Sequence, residues 1–299
     1  MSGEILEFLK INDVEFKQNY PLSLISPIRI GGVANIIAYP DNERKLINLI
    51  NFICDNKNRY FMAGRMSNIL PKDDGYSGVV IRTDRLCSYS LDETSIEFSC
   101  GVSLPRASVI AMQNGLSGLE ALSGIPGSVA GAVVGNAGSF GREIGELVSY
   151  VRIYDLAEGS VYRIEAGDIG FSYRYSSLYH SGKVILSVGL SLSKGDKRTI
   201  QLEIDRYRSI RLNTQPCGEP SLGSVFKRPR EDLSASLLID KCGLKGYTIG
   251  RAQISSKHAG FIVNKGGATA MDYLSLADYA AKEVKRNFDI DLTREIKVM

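Results

Sequence analysis

An α+β chain with mixed sheets is expected from three features of the sequence. Short β-rich runs bounded by glycine alternate with an apolar segment of helical period in the first quarter. Further β-rich runs lie on either side of a glycine-rich tract at 124–141. A charged stretch of helical period, KGDKRTIQLEIDRYRSIRLN, then opens a last third with helix and strand signals of its own. The composition shift there suggests a boundary near residue 195, and 299 residues suggest about two domains.

Taken in order, ERKLINLINFICDN (43–56) places leucine and isoleucine at helical spacing, and RYFMAG and GVVIRT read as short buried strands bounded by glycine. SIEFSCGVSL alternates like a strand. PRASVIAMQNG is a short helix with proline at its start and Asn-Gly after its end. YVRIYDLAEGSVYRIEA is a hairpin joined at Glu158-Gly159, and VILSVGLSLS is one more strand. Beyond the boundary, ASLLIDKCG is a short helix closing at Gly243, and GFIVN is a strand. A long helix starts near Ala270, where Thr269 and Asp272 have capping-box spacing. Leu274, Ala277, Ala281, Val284 and Phe288 form its expected apolar stripe, with Lys282, Lys285 and Arg286 on a solvated face.

Bulk properties exclude several classes. The net charge of +3, from 36 basic and 33 acidic residues, is too balanced for a nucleic-acid binder but allows a local basic pocket for a phosphorylated ligand. Cys54, Cys87, Cys100, Cys217 and Cys242 are scattered, odd in number and free of any CxxC pair. That pattern is neither a disulfide framework nor a zinc site, so no metal is expected and a reducing cytoplasm is. MSGEILEFLKIND lacks the basic and apolar regions of a secretory signal. Residues 121–141 are uncharged, yet Pro126, Asn136, three serines and six glycines leave too little apolar bulk for a membrane span.

Two segments could cradle a phosphate: AGRMSNIL (63–70) and GIPGSVAGAVVGNAG (124–138). Glycine lets several backbone N–H groups approach one anion, and Ser67 and Asn68 add side-chain donors. Neither segment matches GxGxxG or GxxxxGK[ST], and each alone is as well read as a bulged turn. PSLGSVFKRP (220–229) poses a similar choice, since Ser224 is either a turn residue or a proton donor.

Seven motifs decide between these readings when taken together. PIRIGGVAN (27–35), AGRMSNIL, GLEALSGIPGSVAGAVVGNAGSFG (118–141), FSYRYSS (171–177), GEPSLGSVFKRP (218–229), AQISSKHAGFIVN (252–264) and LTREIKVM (292–299) occur in that order. The series resembles the UDP-N-acetylenolpyruvoylglucosamine reductase (MurB) family over nearly the whole chain, in its shorter type without the extra tyrosine-bearing loop. The resemblance implies an FAD-binding region of the p-cresol methylhydroxylase/vanillyl-alcohol oxidase type at 1–195, in two α+β parts split near 75–85. A smaller α+β substrate-binding domain at 196–299 follows, whose tail, 290–299, returns to the active site. FAD is expected to be non-covalent and NADPH to be the co-substrate. The partner is a small nucleotide sugar, with no nucleic acid and no membrane span, acting in a cytoplasmic monomer of peptidoglycan synthesis.

The resemblance also carries residues. Arg29, Gly64, Arg65, Ser67 and Asn68 match flavin-contacting positions, as do Gly124, Ile125, Pro126, Gly127, Ser128, Gly131, Asn136, Ala137 and Gly138. Arg174 matches the cation of the YR-x-S motif, Ser224 the proton donor and Glu295 the catalytic glutamate. Hydride addition to the enol ether's terminal methylene leaves negative charge that spreads into the substrate carboxylate. A fixed guanidinium and a protonated glutamate stabilise that charge, and a held hydroxyl supplies the last proton. Tyr173, Lys227, Arg228 and His258 are substrate-contact candidates, with only one of Lys227 and Arg228 facing the UDP phosphates if both lie in a strand.

Four positions depart from the family pattern. Met66 and Ala130 stand where glycine is usual, Gly135 where a larger residue is usual, and Thr214 where lysine commonly precedes QP. Arg211 is the candidate replacement for that lysine. Two alternatives accommodate these departures: a reductase of the same fold for another nucleotide sugar or enol ether, and a silent FAD- or nucleotide-sugar-binding paralogue. Retention of Arg174, Ser224 and Glu295 speaks against the silent paralogue. A serine hydrolase fails for want of a GxSxG elbow.

Overall fold

The structure is a computed structural model that describes residues 2–179 and 181–299. His180, to which the sequence gives no role, lies outside the described residues. The chain divides into two compact units.

The first unit comprises Met1–Lys17, Ile36–Arg65 and Gly78–Ser209. Its helix Glu43–Asp55 starts at Asn42, whose side chain accepts from the Lys45 N–H, and it buries Leu46, Leu49, Ile50 and Ile53 along one face. Strand Tyr60–Ala63 pairs in parallel with Tyr76–Arg82 from Tyr60↔Val79 to Ala63↔Arg82. A five-stranded antiparallel sheet runs in the order Ser160–Glu165, Val148–Asp155, Lys183–Ser191, Ser95–Ser99 and Tyr89–Asp92. The expected hairpin is its first pair, closing at Asp155↔Ser160 around Gly159, which takes φ +64. Helix Leu104–Gln113 is capped by Ser103. One apolar core joins these elements, with Leu49, Ile50, Ile81, Phe98, Val151 and Val188 among its buried members. Cys100 is buried in it, and burial pushes its thiol up to about 12.

The second unit comprises Gln18–Asn35, Met66–Ser77 and Ile210–Met299. Its antiparallel sheet runs Ser221–Ser224, Phe261–Asn264, Ala252–Ile254, Thr248–Ile249. Helices Ala235–Lys241 and Ala270–Phe288 complete a second core containing Leu222, Phe226, Leu238, Ile262, Tyr273 and Ile296. The long helix has the expected capping box of Thr269 and Asp272, and Asp73 also accepts from the N–H groups of Ala270 (2.7 Å) and Met271 (3.1 Å). Lys297–Val298 pairs in parallel with Ile69–Leu70, which anchors the end of the chain.

Three expectations shift. The buried face of the long helix is Ala270, Tyr273, Leu276, Ala277, Ala280 and Val284, so the expected stripe is rotated and shares only Ala277 and Val284 with it. Tyr273 decides the rotation: its ring belongs to the core although its hydroxyl is polar. The strand before Lys227 ends at Ser224, so Lys227 and Arg228 lie beyond it, and opposite-face alternation does not sort them. Compactness also cuts the chain elsewhere than 195. The composition shift there marks the start of helix Lys197–Thr214, which is exposed along most of its length and buries Ile200.

Candidate active site

In the first unit the start of the first glycine-rich segment, at Gly64, meets the second segment. A side chain at Gly64 would place its Cβ 2.6 Å from Ser128 Oγ, so the backbone of the first turn rests directly against the second. Within the second segment, residues 129–134 form a helix rather than a turn, with Ser128 accepting from the Gly131 N–H at 3.2 Å. Its entry is tied back by Leu104 N to Gly127 O (2.9 Å) and Val129 N to Val102 O (2.8 Å). The helix stops in a left-handed turn: Asn136 takes φ +40, and the N–H groups of Asn136 and Ala137 return to the carbonyls of Val133 and Ala132. Residues 63–68 and 124–138 contain no acid, and Arg65 is exposed. Closely apposed glycine turns with serine and arginine donors fit the pyrophosphate of a dinucleotide such as FAD.

Arg174 sits at the tip of a tight turn in the same unit. Ser172 and Tyr175 exchange backbone hydrogen bonds of 3.0 and 3.1 Å across it, and Arg174 itself takes φ +55. Its Nη2 donates to the Gly138 carbonyl (3.1 Å), and its guanidinium lies 5.1 Å from the centre of the Tyr173 ring. A Cβ at Gly138 would come within 3.2 Å of Arg174 Nη1 and 2.9 Å of Glu143 Cγ, so that glycine makes room for the arginine. Ser176 Oγ donates to Val134 O (3.0 Å) behind the turn.

Ser224 and Glu295, 71 positions apart in sequence, are brought together in the second unit by backbone pairing. Glu295 N donates to Val225 O (2.8 Å), Lys227 N to Thr293 O (2.9 Å), and Phe226 and Arg294 form an antiparallel bridge. Gly223 takes φ +78, and the pairing with Phe261–Asn264 slips between Ser221 and Ser224. The glycine of the Gly-Ser pair is therefore a bulge, a device that re-aims the next side chain. Ser224 is exposed and Glu295 half-buried beside buried Ile296. Asn68 grips the far side of the tail: its Nδ2 donates to Glu295 O (3.2 Å) and its carbonyl accepts from Lys297 N (3.0 Å).

Other expected residues of this unit are placed as follows. Arg29 is exposed at φ +56, with its carbonyl accepting from Asn264 Nδ2 at 3.3 Å. Met66 takes φ +54 and is buried, which explains why glycine suits that position and shows where the larger side chain goes. Ser67 follows it half-buried, and Arg228 Nη1 donates to Glu231 O (3.0 Å). His258 Nδ1 accepts from the Gly260 N–H at 3.1 Å, and burial pushes the imidazole below its ordinary pKa. Thr214 Oγ1 donates back to Ile210 O (2.8 Å), a bond within its own helix.

Sequence reasoning missed two supports. Buried Asn264 donates to Ile28 O and Arg29 O and accepts from Gly266 N and Ala268 N, which uses both donors and both lone pairs of its amide. Glu143, in the GRE of 141–143, accepts from Asn136 Nδ2 at 2.6 Å. Neither contact has a local sequence signal.

Comparison with known proteins places the chain in a family. The family described as "UDP-N-acetylenolpyruvoylglucosamine reductase, C-terminal domain" matches residues 215–299, and "FAD binding domain" matches 34–165. The UDP-N-acetylenolpyruvoylglucosamine reductase of Streptococcus pneumoniae (strain JJA) is 38% identical over 296 residues, covering 99% of this chain and 97% of the relative. The reductase of strain ATCC 700669 / Spain 23F-1 is also 38% identical, covering 99% and 92%. The crystal structure of the Thermus caldophilus reductase superposes with a TM-score of 0.79 at 30% identity, over 95% of this chain and 98% of that one. A berberine bridge enzyme variant matches 64% of this chain and 44% of its own at a TM-score of 0.50 and 15% identity, a likeness of fold alone. The fold is α+β with an FAD-binding region of the p-cresol methylhydroxylase/vanillyl-alcohol oxidase type, and the chain belongs to the UDP-N-acetylenolpyruvoylglucosamine reductase family.

Proposed function

We propose that this chain reduces the enolpyruvyl ether of UDP-N-acetylglucosamine to the lactyl ether, giving UDP-N-acetylmuramate, with NADPH as reductant. FAD, when bound non-covalently, carries the reducing equivalents between the two substrates. Residues 1–195 serve the cofactor, in two parts split near 75–85, and 196–299 the substrate, with the tail 290–299 at the reaction. The setting is the cytoplasmic stage of peptidoglycan synthesis, hence cell-wall biogenesis, cell shape, cell division and the cell cycle, and the working form is a monomer.

The observation that carries the reading is the Glu295 N to Val225 O hydrogen bond, 2.8 Å long, which ties the backbone of the tail to the residue that follows Ser224. Neither group alone is unusual, but an acid and a hydroxyl carried on neighbouring positions of one backbone pairing suit charge stabilisation followed by protonation. Once hydride has added to the terminal methylene, the neighbouring carbon and the carboxylate together hold close to two negative charges. Arg174 offers a planar guanidinium that can grip a carboxylate at two points. Glu295, carrying its proton, gives a neutral donor where a second carboxylate would repel. Ser224 then passes its hydroxyl proton to the carbon, a transfer that depends on fixed geometry because serine is a weak acid. Tyr173, Lys227, Arg228 and His258 are assigned to substrate contact, and Arg29, Arg65, Ser67, Asn68 and the two glycine turns, Asn136 apart, to the cofactor.

The test is NADPH oxidation by the yellow holoenzyme. Consumption that depends on added UDP-N-acetylglucosamine enolpyruvate, with UDP-N-acetylmuramate as the product, is expected. Full flavin loading with no such dependence would end the proposal.

A further inference from the structure

Asn136 is matched to a flavin contact by family resemblance, yet its amide is already taken up inside the protein. The residue is 2% exposed. Its Nδ2 donates to Glu143 Oε2 (2.6 Å) and to the carbonyl of Ser172 (3.0 Å), and its Oδ1 accepts from Gly145 N (3.0 Å). Two acceptors face one end and a donor faces the other, so only this orientation of the amide fits, and one oxygen lone pair at most is left over.

Those partners surround Arg174. Ser172 opens the turn that has Arg174 at its tip, and Gly138, two residues after Asn136, receives the arginine's Nη2. Glu143 is fixed in turn by a reciprocal capping box with Glu146, whose Oε1 accepts from the Glu143 N–H at 2.8 Å. Gly145 is equally constrained, since a Cβ there would meet Asn136 Oδ1 and the Phe171 ring at 2.9 Å. The left-handed φ of +40 at Asn136 turns the chain out of the helix and its amide toward this cluster.

We infer that Asn136, held by Glu143, is the positioning residue for Arg174 and not a contact of the cofactor. The inference rests on the role of Arg174 given above. A guanidinium that must meet a carboxylate at two points tolerates little displacement, and a 1 Å error costs about 100-fold. The clamp supplies the constraint that a turn at φ +55 lacks by itself.

The test uses holoenzyme variants and separates the two half-reactions by stopped flow. Asn136→Gly removes the amide while accepting the left-handed backbone. It is expected to keep the FAD dissociation constant and the rate of flavin reduction by NADPH, and to slow reoxidation by the enol ether about 100-fold. The double variant with Arg174→Ala is expected to be no slower than Arg174→Ala alone, because both changes remove one function. Glu143→Gln, whose amide oxygen still accepts from Asn136, should restore most of the rate lost in Glu143→Ala, and that pair decides the matter should Asn136→Gly not fold. A crystal structure of Asn136→Gly is expected to show residues 171–175 displaced. Loss of FAD affinity in step with activity, or slowing that multiplies in the double variant, overturns the inference. Arg174→Ala slow beside Asn136→Gly at the wild-type rate overturns it alone, whereas Arg174→Ala at the wild-type rate removes the role of Arg174 and the clamp with it.

Discussion

The turn that carries Arg174 and the pair that carries Ser224 and Glu295 are held by different means. In the first unit, side chains do the holding: Asn136 and Glu143 reach across 36 and seven residues respectively to fix a short irregular turn. In the second, backbone does it, through Glu295 N to Val225 O, Lys227 N to Thr293 O and Lys297 N to Asn68 O, with Ile296 buried as anchor. A side-chain clamp depends on residue identity at a few positions. Backbone pairing depends on conformation and tolerates most changes of side chain. Variants at Ser224 and Glu295 should therefore report chemistry with little disturbance of position, while variants around Arg174 report position.

The largest effect is expected from Ser224→Ala. The backbone pair stays intact, so flavin reduction by NADPH should be unchanged, while reoxidation by the enol ether falls by the roughly 10² to 10⁴ typical of a lost general acid. Unchanged reoxidation in stopped flow would remove Ser224 from the reaction. Glu295→Ala should slow the same half-reaction by about 10² to 10³, the usual loss for one donor to a developing oxyanion. Glu295→Gln, held by the same backbone bonds and still a neutral donor, should keep more of the rate than Glu295→Ala. Gln as slow as Ala would mean that the carboxyl proton itself, and not its hydrogen bond, is required.

Much of the local architecture was legible in the sequence. Thr269 and Asp272 announce the long helix, and Glu158-Gly159 marks the hairpin, because capping and turn chemistry act within a few residues. The chemistry-bearing motifs were legible only as a set. A lone Gly-Ser does not separate a bulge from a turn, whereas Gly223 at φ +78 next to a slipped register is a bulge. What sequence could not supply is non-local pairing. Asp73 capping a helix that starts at Ala270, or Asn264 holding the carbonyl of Ile28, has no signature at either end. The rotated stripe of the long helix failed for another reason, since two overlapping faces of that helix carry apolar residues at helical spacing and packing selects the one with Tyr273 and Leu276.

Gly223→Ala sharpens the comparison from the backbone side. Alanine is strained at φ +78, and the change should destabilise the folded protein by about 1–2 kcal/mol in urea unfolding. A Cβ there would meet nothing within 4 Å, so the cost is conformational and not steric crowding. If side chains rather than backbone set the position of Ser224, the variant would lose stability while keeping the wild-type rate of reoxidation.

The smallest expected effect separates the two kinds of support by pH and salt. In the first unit Asp155 is held well below its ordinary 3.8, to about 2, chiefly by its hydrogen bond from Lys183 and then by the Ala157 N–H. In the second, Asp272 is also lowered, chiefly by the backbone N–H of Thr269. Both carboxylates bind a proton less readily folded than unfolded. Each therefore contributes stability that is complete above about pH 4 and is lost as pH falls toward the folded value. Asp155→Asn and Asp272→Ala should each flatten the acid limb of unfolding followed by circular dichroism. Salt discriminates between them: the Asp155–Lys183 attraction is screened at about 1 M, where the Debye length is near 3 Å, while hydrogen bonds from a helix's own N–H groups are screened less. The difference between wild type and Asp155→Asn should shrink in high salt and that for Asp272→Ala should persist. Equal salt sensitivity at the two sites would mean that backbone and side-chain support are not energetically distinct in this protein, and the contrast between the two units would then reduce to geometry.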